Sequence, residues 1–332
     1  MTDFKTSKKV YVKSKNNLAK IYSNYLVTLI VFVLFLLGYN IFNKKLDVIF
    51  NILKVTIIFS LTSILINYII SKIQKKQYLK EDLINSINLA LVISLFSYDT
   101  NILVGMIGLL ISLIIKNIVK NINLSSSLYG ILLIVIYKCY QNQIIFPLTS
   151  LKKLNYIGSF NQLIKDSGGI FKYLLGNNYL SPLLAILGYF YLFHKKSIKY
   201  NLFNSYILTF SGIMLLFGLF KGLNVYYLFF QLATGNILFL SIYCLTDSIM
   251  TPTTGKGQII YGMILGLISS ILRFIIPEIS IIVTIILGEL LLSKPIERLS
   301  IGVEYNNKKF RNVIILLMIL IIFTIVTLCL VK

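Results

Sequence analysis

The chain has 332 residues, of which 57% are hydrophobic, with a mean hydropathy of +0.84 and a formal charge of +21. Soluble domains sit near about 45–50% apolar, and the excess here is gathered into runs of roughly 18–22 residues, enough to cross a hydrocarbon core. That excludes a soluble globular domain. The positive charge lies in short segments between the apolar runs, the arrangement that orients membrane helices, and no aromatic-plus-basic groove competes for a nucleic-acid reading.

The chain opens on a polar, basic stretch, MTDFKTSKKVYVKSK. No small-residue cleavage site ends the first apolar run, so no cleavable signal peptide is expected. Candidate spans follow at 22–42, 47–71, 83–97, 101–120, 126–141, 181–194, 200–220, 224–245, 258–276, 278–293 and 311–331. Those at 83–97, 126–141 and 181–194 are short for a full crossing, which leaves them tilted, re-entrant or buried within a bundle. The predicted class is all-α, a polytopic membrane bundle of about 10–11 transmembrane helices with broken and short members.

Lysines alternate with the spans. Lys5 to Lys20, Lys72 to Lys80, Lys116 and Lys120, Lys195 to Lys199, Lys256, and Lys294 to Arg311 fall on one side. Fewer fall on the other: Lys44, Lys45, Lys152, Lys153, Lys165, Lys172 and Lys221. The positive-inside rule then predicts a cytoplasmic N-terminus, an outward C-terminus and an outward loop over 142–180. A bacterial plasma membrane is the expected location.

Cys139, Cys244 and Cys329 lie in or beside apolar runs without metal-ligand spacing and read as packing residues. With His194 as its only histidine, the chain holds no Ser–His or Cys–His catalytic pair. It is not expected to be catalytic alone, and no metal site is expected.

Two features break the apolar pattern. The segment TDSIMTPTTGKGQIIYG, Thr246 to Gly262, packs Ser, Thr, Pro, Gly and Lys between two apolar runs. Backbone N–H groups beside small hydroxyls and a cation suit an anion such as phosphate. Charged residues within or beside spans are the second: Lys54, Lys116, Lys138, Arg273 and Glu289. Each costs several kcal/mol at mid-bilayer unless it is paired or snorkels, as Lys54 and Lys138 can. Glu289, in IIVTIILGELLLSK, is the sharpest case. It is either a neutral packed acid, a partner for a cation such as Arg273, or a station on an ion pathway.

Leu245 to Arg273, LTDSIMTPTTGKGQIIYGMILGLISSILR, resembles the signature of the D subunit of Rnf ion-translocating electron-transport complexes and of the homologous B subunit of the sodium-pumping NADH:quinone oxidoreductase. That signature runs A-T-D-P-x-T-S-P-x-T-x-x-G-x-x-x-Y/F-G-x-x-x-G followed by an Arg. Thr246, Asp247, Thr251, Pro252, Thr254, Gly257, Tyr261, Gly262, Gly266 and Arg273 match it, and Ser248 replaces the Pro that follows its Asp. Gly235 sits where the family has a Gly-rich turn, and Asp82, Leu89 to Phe96, Gly105, Gly108, Lys116 and Gly130 fall on a second block.

The resemblance implies a membrane subunit that passes electrons through flavin and couples their flow to Na⁺ or H⁺ transport. It also implies partner subunits of an Rnf- or Nqr-type complex, besides membrane lipid. It divides the chain into a cytoplasmic segment (1–21), a family-like membrane domain (22–298) and an extra C-terminal helix (299–332). The family esterifies FMN to the Thr of an S-G-A-T loop; the aligned residue here is Phe160, which has no oxygen to esterify, with Ser159 as a weak alternative. The implied cofactor is therefore FMN or riboflavin, held non-covalently. Its implied contacts are Lys116, Gly235, Thr246, Asp247, Thr251, Thr254, Lys256, Gly257 and Arg273. The alternatives are a flavin-less scaffold or ion-conducting subunit, and a secondary transporter of a small anion.

The lysine pattern makes one topological forecast. In a chain whose own cysteines are replaced by serine, Ser159→Cys should react with an impermeant maleimide in intact cells and Ser197→Cys should not. The opposite labelling would overturn the orientation.

Overall fold

The computed structural model describes residues 18–75, 79–118, 124–141, 180–220, 222, 226–233, 236–247, 251–276 and 279–303. All regular structure among them is helical. The chain is a multi-pass membrane protein: among the described residues four helices are long and apolar enough to cross a bilayer, or five if one bent pair is a single span. The N-terminal 1–17, most of the loop 142–180, and the span expected at 311–331 lie outside the described residues.

The first two helices, α1 (Leu18–Phe42) and α2 (Leu46–Ile73), form a hairpin whose tight turn places Lys44 in the left-handed region, φ 56°. Each buries one stripe. On α1 it is Tyr22, Tyr25, Leu29 and Phe32; on α2 it is Ile52, Val55, Thr56, Phe59 and Ser63. That spacing is one face of a 3.6-residue helix. The other faces carry exposed Leu34, Phe50, Leu61 and Leu65, apolar because lipid takes the place of water there.

The third helix, α3 (Lys80–Ser97), is short because the bundle surrounds it: Asn85, Ser86 and every residue from Asn88 to Ser97 is buried. Its polar residues find partners in neighbouring helices. Ser63 Oγ donates to Ser86 O at 2.9 Å and Asn88 Nδ2 to Tyr22 O at 2.9 Å. Next come α4 (Ile102–Ile118), a 3₁₀ turn (Leu124–Ser126) and α5 (Ser127–Tyr140). The second half contains α6 (Pro182–His194), α7 (Tyr200–Phe220), α8 (Tyr226–Ala233) and α9 (Ile237–Leu240), which continues as a π turn (Ser241–Leu245). It ends with α10 (Gly255–Ile275), α11 (Ser280–Leu287), a second π turn (Gly288–Leu292) and α12 (Ser293–Val303).

Two spans differ from the sequence expectation. The run 224–245 is one apolar stretch in the sequence, but its pieces Tyr227–Ala233 and Ile237–Leu245 are bent by 56°. Asn236 restarts the helix from a left-handed conformation, φ 55°, and its Oδ1 accepts from Leu180 N at 2.8 Å. Asn tolerates this conformation better than branched residues. The run 278–293 does not stop at 293 but turns into α12, which buries Ser293, Ile296 and Ser300 and exposes Lys294 and Arg298.

Small residues set the closest helix contacts, as is usual where lipid supplies no hydrophobic drive between helices. On α10, Gly262 and Gly266 face Ser205 and Thr209 of α7: a Cβ on Gly262 would stand 2.6 Å from Leu202 O, and one on Gly266 2.8 Å from Tyr206 O. Gly130 of α5 is pressed in the same way on Gly108 of α4, 2.8 Å from its carbonyl carbon. Gly266→Val should therefore force α7 and α10 apart and lower the melting temperature in detergent, at a cost of about 3 kcal/mol or more. Gly212→Ala, with nothing within 4 Å of the new Cβ, should be neutral or stabilising by up to about 1 kcal/mol.

Candidate functional site

Three irregular turns meet inside the bundle. The 3₁₀ turn Leu124–Ser126 packs on the π turn Ser241–Leu245, and the π turn Gly288–Leu292 closes from the other side against α10. A wider or narrower turn leaves backbone groups without their usual helical partners. Side chains from distant segments supply what is missing.

Asp247 does this for α5. Its Oδ2 accepts from Ser125 N at 3.0 Å, so a carboxylate caps a helix start that lies 122 residues away in sequence. A negative group is favoured at that end of the helix dipole. Asp247 also lies within electrostatic reach of Lys116, at the end of α4, and of Lys199. The sequence grouped Lys116 and Asp247 as cofactor contacts; here they belong to one charge network. Thr246 is buried, bonded to Tyr25 Oη at 3.0 Å and to Ile242 O. Cys244 Sγ lies 3.7 Å from Ser127 Oγ, so it is a packed thiol, as its apolar setting suggests.

The polar segment is tied down by Lys199, just before α7. Its Nζ donates to Thr251 Oγ1 at 2.7 Å, to Thr251 O at 2.9 Å and to Pro252 O at 3.4 Å. Thr251 Oγ1 in turn donates to Asp247 O at 3.1 Å. Gln258 Nε2 donates to Pro252 O at 3.2 Å and Thr253 O at 3.3 Å. Thr254 is the N-cap of α10, its Oγ1 accepting from Gly257 N at 3.1 Å, as Thr does at this position. Gly257 permits a close approach, but to protein: its missing Cβ would lie 2.8 Å from Ser300 Oγ. Lys256 is half-buried in the first turn of α10.

Arg273 is the largest fully buried side chain, 1% exposed, and its Nε donates to Gln231 Oε1 at 2.9 Å. Tyr206 and Tyr227 lie close enough to feel its charge. The pairing of Glu289 with Arg273 that the sequence allowed does not form; among the described residues the recorded ion pair is Lys138 with Asp99, 2.6 Å apart. That contact also shows Lys138 paired with a carboxylate. Gly235, Ser159 and Phe160 lie outside the described residues.

Whether this end of the bundle fits a flavin phosphate is decided by its donors. Thr251, Gly257 N and Gln258 are all engaged with the protein, and Lys199 is bound to two carbonyls and a hydroxyl. The segment 251–258 closes on itself and is not an open phosphate cradle. Sequence reasoning missed Lys199, Ser125, Tyr25 and Gln231. Lys199 reads as one more orienting lysine, and Ser125 acts through a backbone N–H that no motif can display.

Burial lowers the Lys199 amine from its ordinary 10.5 to about 8, against the opposing pull of Asp247 and Glu297. The unfolded chain thus binds more protons than the native one between about pH 8 and the ordinary lysine range, so raising pH through that window adds stability. Lys199→Met leaves its acceptors without a donor. It should lower stability by about 1–3 kcal/mol and remove that rise with pH, both read by thermal unfolding in detergent from about pH 7 to 10.

Comparison with the curated proteins finds no match to the chain. The model of the NQR2, RnfD, RnfE family matches residues 5–291, which includes Lys116, Ser125, Lys199, Asp247, Thr251 to Gln258, Arg273 and Glu289. Members of that family are membrane subunits of Rnf- and Nqr-type ion-translocating complexes. With most of its length matched, the chain belongs to the NQR2, RnfD, RnfE family.

Proposed function

We propose that the chain is the electron-transfer membrane subunit of an Rnf-type complex, working with partner subunits in the bacterial plasma membrane and with its N-terminus in the cytoplasm. Electron flow through the complex drives Na⁺ or H⁺ across the membrane. The observation that carries this reading is the family match over residues 5–291 together with a charge network at Asp247, Lys116 and Lys199 buried in the bundle. A bundle that served only as an anchor has no need of ionisable groups inside it.

A flavin in this chain, FMN or riboflavin, is held without a covalent bond, because Phe160 stands at the acceptor position and offers no oxygen. Bound flavin supplies one- and two-electron chemistry; the protein supplies position and potential. The closed state of 251–258 favours a second reading, in which the chain has become a flavin-free scaffold or ion-conducting subunit of the same complex.

One spectrum separates these readings. The purified full-length chain is scanned from 350 to 500 nm (a window set by flavin absorbance, on the order of 450 nm at its maximum), before and after acid precipitation. Yellow colour released into the supernatant is the expected result. A colourless chain supports the flavin-free reading. Fluorescence that stays with the chain in a denaturing gel and is lost in Ser159→Ala overturns the non-covalent assignment.

A further inference from the structure

Glu289 is the buried charge that the network above leaves out. It sits in the π turn Gly288–Leu292 and is 4% exposed. Its Oε2 has no hydrogen-bond partner among the described residues, and neither does the hydroxyl of Tyr261, which is fully buried. The two groups share one place. Tyr261 Oη would stand 2.7 Å from a Cβ on Gly288, the residue beside Glu289, and the two side chains lie within electrostatic reach. The Ser125 hydroxyl is a hydrogen-bonding neighbour of the carboxyl.

Among the described residues, the charges around Glu289 do not balance it. Asp247 faces it from the neighbouring turn with the same sign, and Tyr261, Tyr129 and Cys244, which face it from α10, α5 and the first π turn, are neutral. Asp247 already interacts with Lys116 and Lys199. A carboxylate in this setting carries an uncompensated charge away from water, which is costly by several kcal/mol. A neutral carboxylic acid alone leaves the unpaired oxygens unexplained. A small cation between them answers both problems: it neutralises the carboxylate and takes hydroxyl oxygens as ligands, as hard cations prefer.

We propose that Glu289, Tyr261 and Ser125 form a buried binding site for one monovalent metal cation of the Na⁺ type at the junction of the 3₁₀ turn and the two π turns. This deepens the reading of the chain as an ion-translocating subunit and rests on it for the use made of the ion. The binding itself is a property of this chain's own residues. The π turn is what makes the site, since it rotates Glu289 inward from an otherwise apolar helix while Gly288 leaves room for the Tyr261 hydroxyl.

The test uses the full-length chain in detergent, with thermal unfolding as the readout and no requirement for flavin or partner subunits. Wild type and Glu289→Gln are melted at fixed ionic strength in NaCl or choline chloride, and then without Na⁺ from about pH 6 to 9. For a Na⁺ site, Na⁺ raises the wild-type Tm by roughly 5 °C at saturation and leaves Glu289→Gln unmoved. If Na⁺ leaves the wild type unmoved and wild type alone loses stability as pH rises, Glu289 is a buried neutral acid and the proposal is overturned. If the two proteins respond identically to both Na⁺ and pH, the proposal is overturned as well. Should Glu289→Gln fail to fold, Tyr261→Phe decides. Loss of one ligand should raise the half-saturating Na⁺ concentration by about tenfold. An unchanged midpoint in that variant overturns the site. A colourless chain that passes this test fails the flavin reading alone, and a yellow chain that fails it loses only the ion site.

Discussion

The structure depends on the exclusion of water from the interior of the bundle. A helix broken there exposes N–H and C=O groups that solvent does not reach, so every break must be answered by a side chain from somewhere else in the protein. Asp247 answers for the start of α5 through Ser125 N, Lys199 and Gln258 for the carbonyls of Thr251, Pro252 and Thr253, and Thr254 for Gly257 N. These four residues convert an irregular connection into a fixed one. They tie the segment 251–258 into a structural knot.

Close packing holds the knot in place. Gly262 and Gly266 bring α10 against α7, whose N-terminal flank carries Lys199, and Gly257 brings α10 against Ser300 of α12. The glycines that match the family signature are thus accounted for by helix approach. An aromatic layer backs the same region: Tyr243 stacks on Phe239 with centroids 4.6 Å apart, and Phe32 and Tyr25 meet Tyr243 edge-on at 5.9 Å. Edge and offset contacts of this kind suit aromatic quadrupoles, and they anchor α1 to the turn that carries Thr246.

The element pattern was readable from hydropathy because apolar runs interrupted by lysine are an unambiguous signal. Spans expected at 47–71, 101–120, 181–194 and 200–220 lie within a few residues of the observed helices. The third helix was marked by its shortness, which left it tilted, re-entrant or buried in the bundle; burial of Asn85, Ser86 and Asn88 shows that it is buried. What hydropathy could not carry is the interior geometry. A π turn has no composition of its own, so the inward rotation of Glu289 was invisible. The cap on α5 links residues 122 apart through a backbone group. Lys199 was hidden by its resemblance to every other loop lysine in a lysine-rich chain.

Two acids near the same turns show how environment divides one chemistry into two roles. Asp247 is surrounded by donors: a backbone N–H, and two lysines within reach. It is satisfied as it stands, and removing it would leave a helix start and two cations exposed. Glu289 is surrounded by hydroxyls and by the negative charge of Asp247. A carboxyl so placed gains from a mobile cation what Asp247 gains from fixed ones. Asp247 is held by its own contacts, so it does not relieve Glu289; on the proposed reading, the partner that fixed groups supply to Asp247 is supplied to Glu289 by a bound ion.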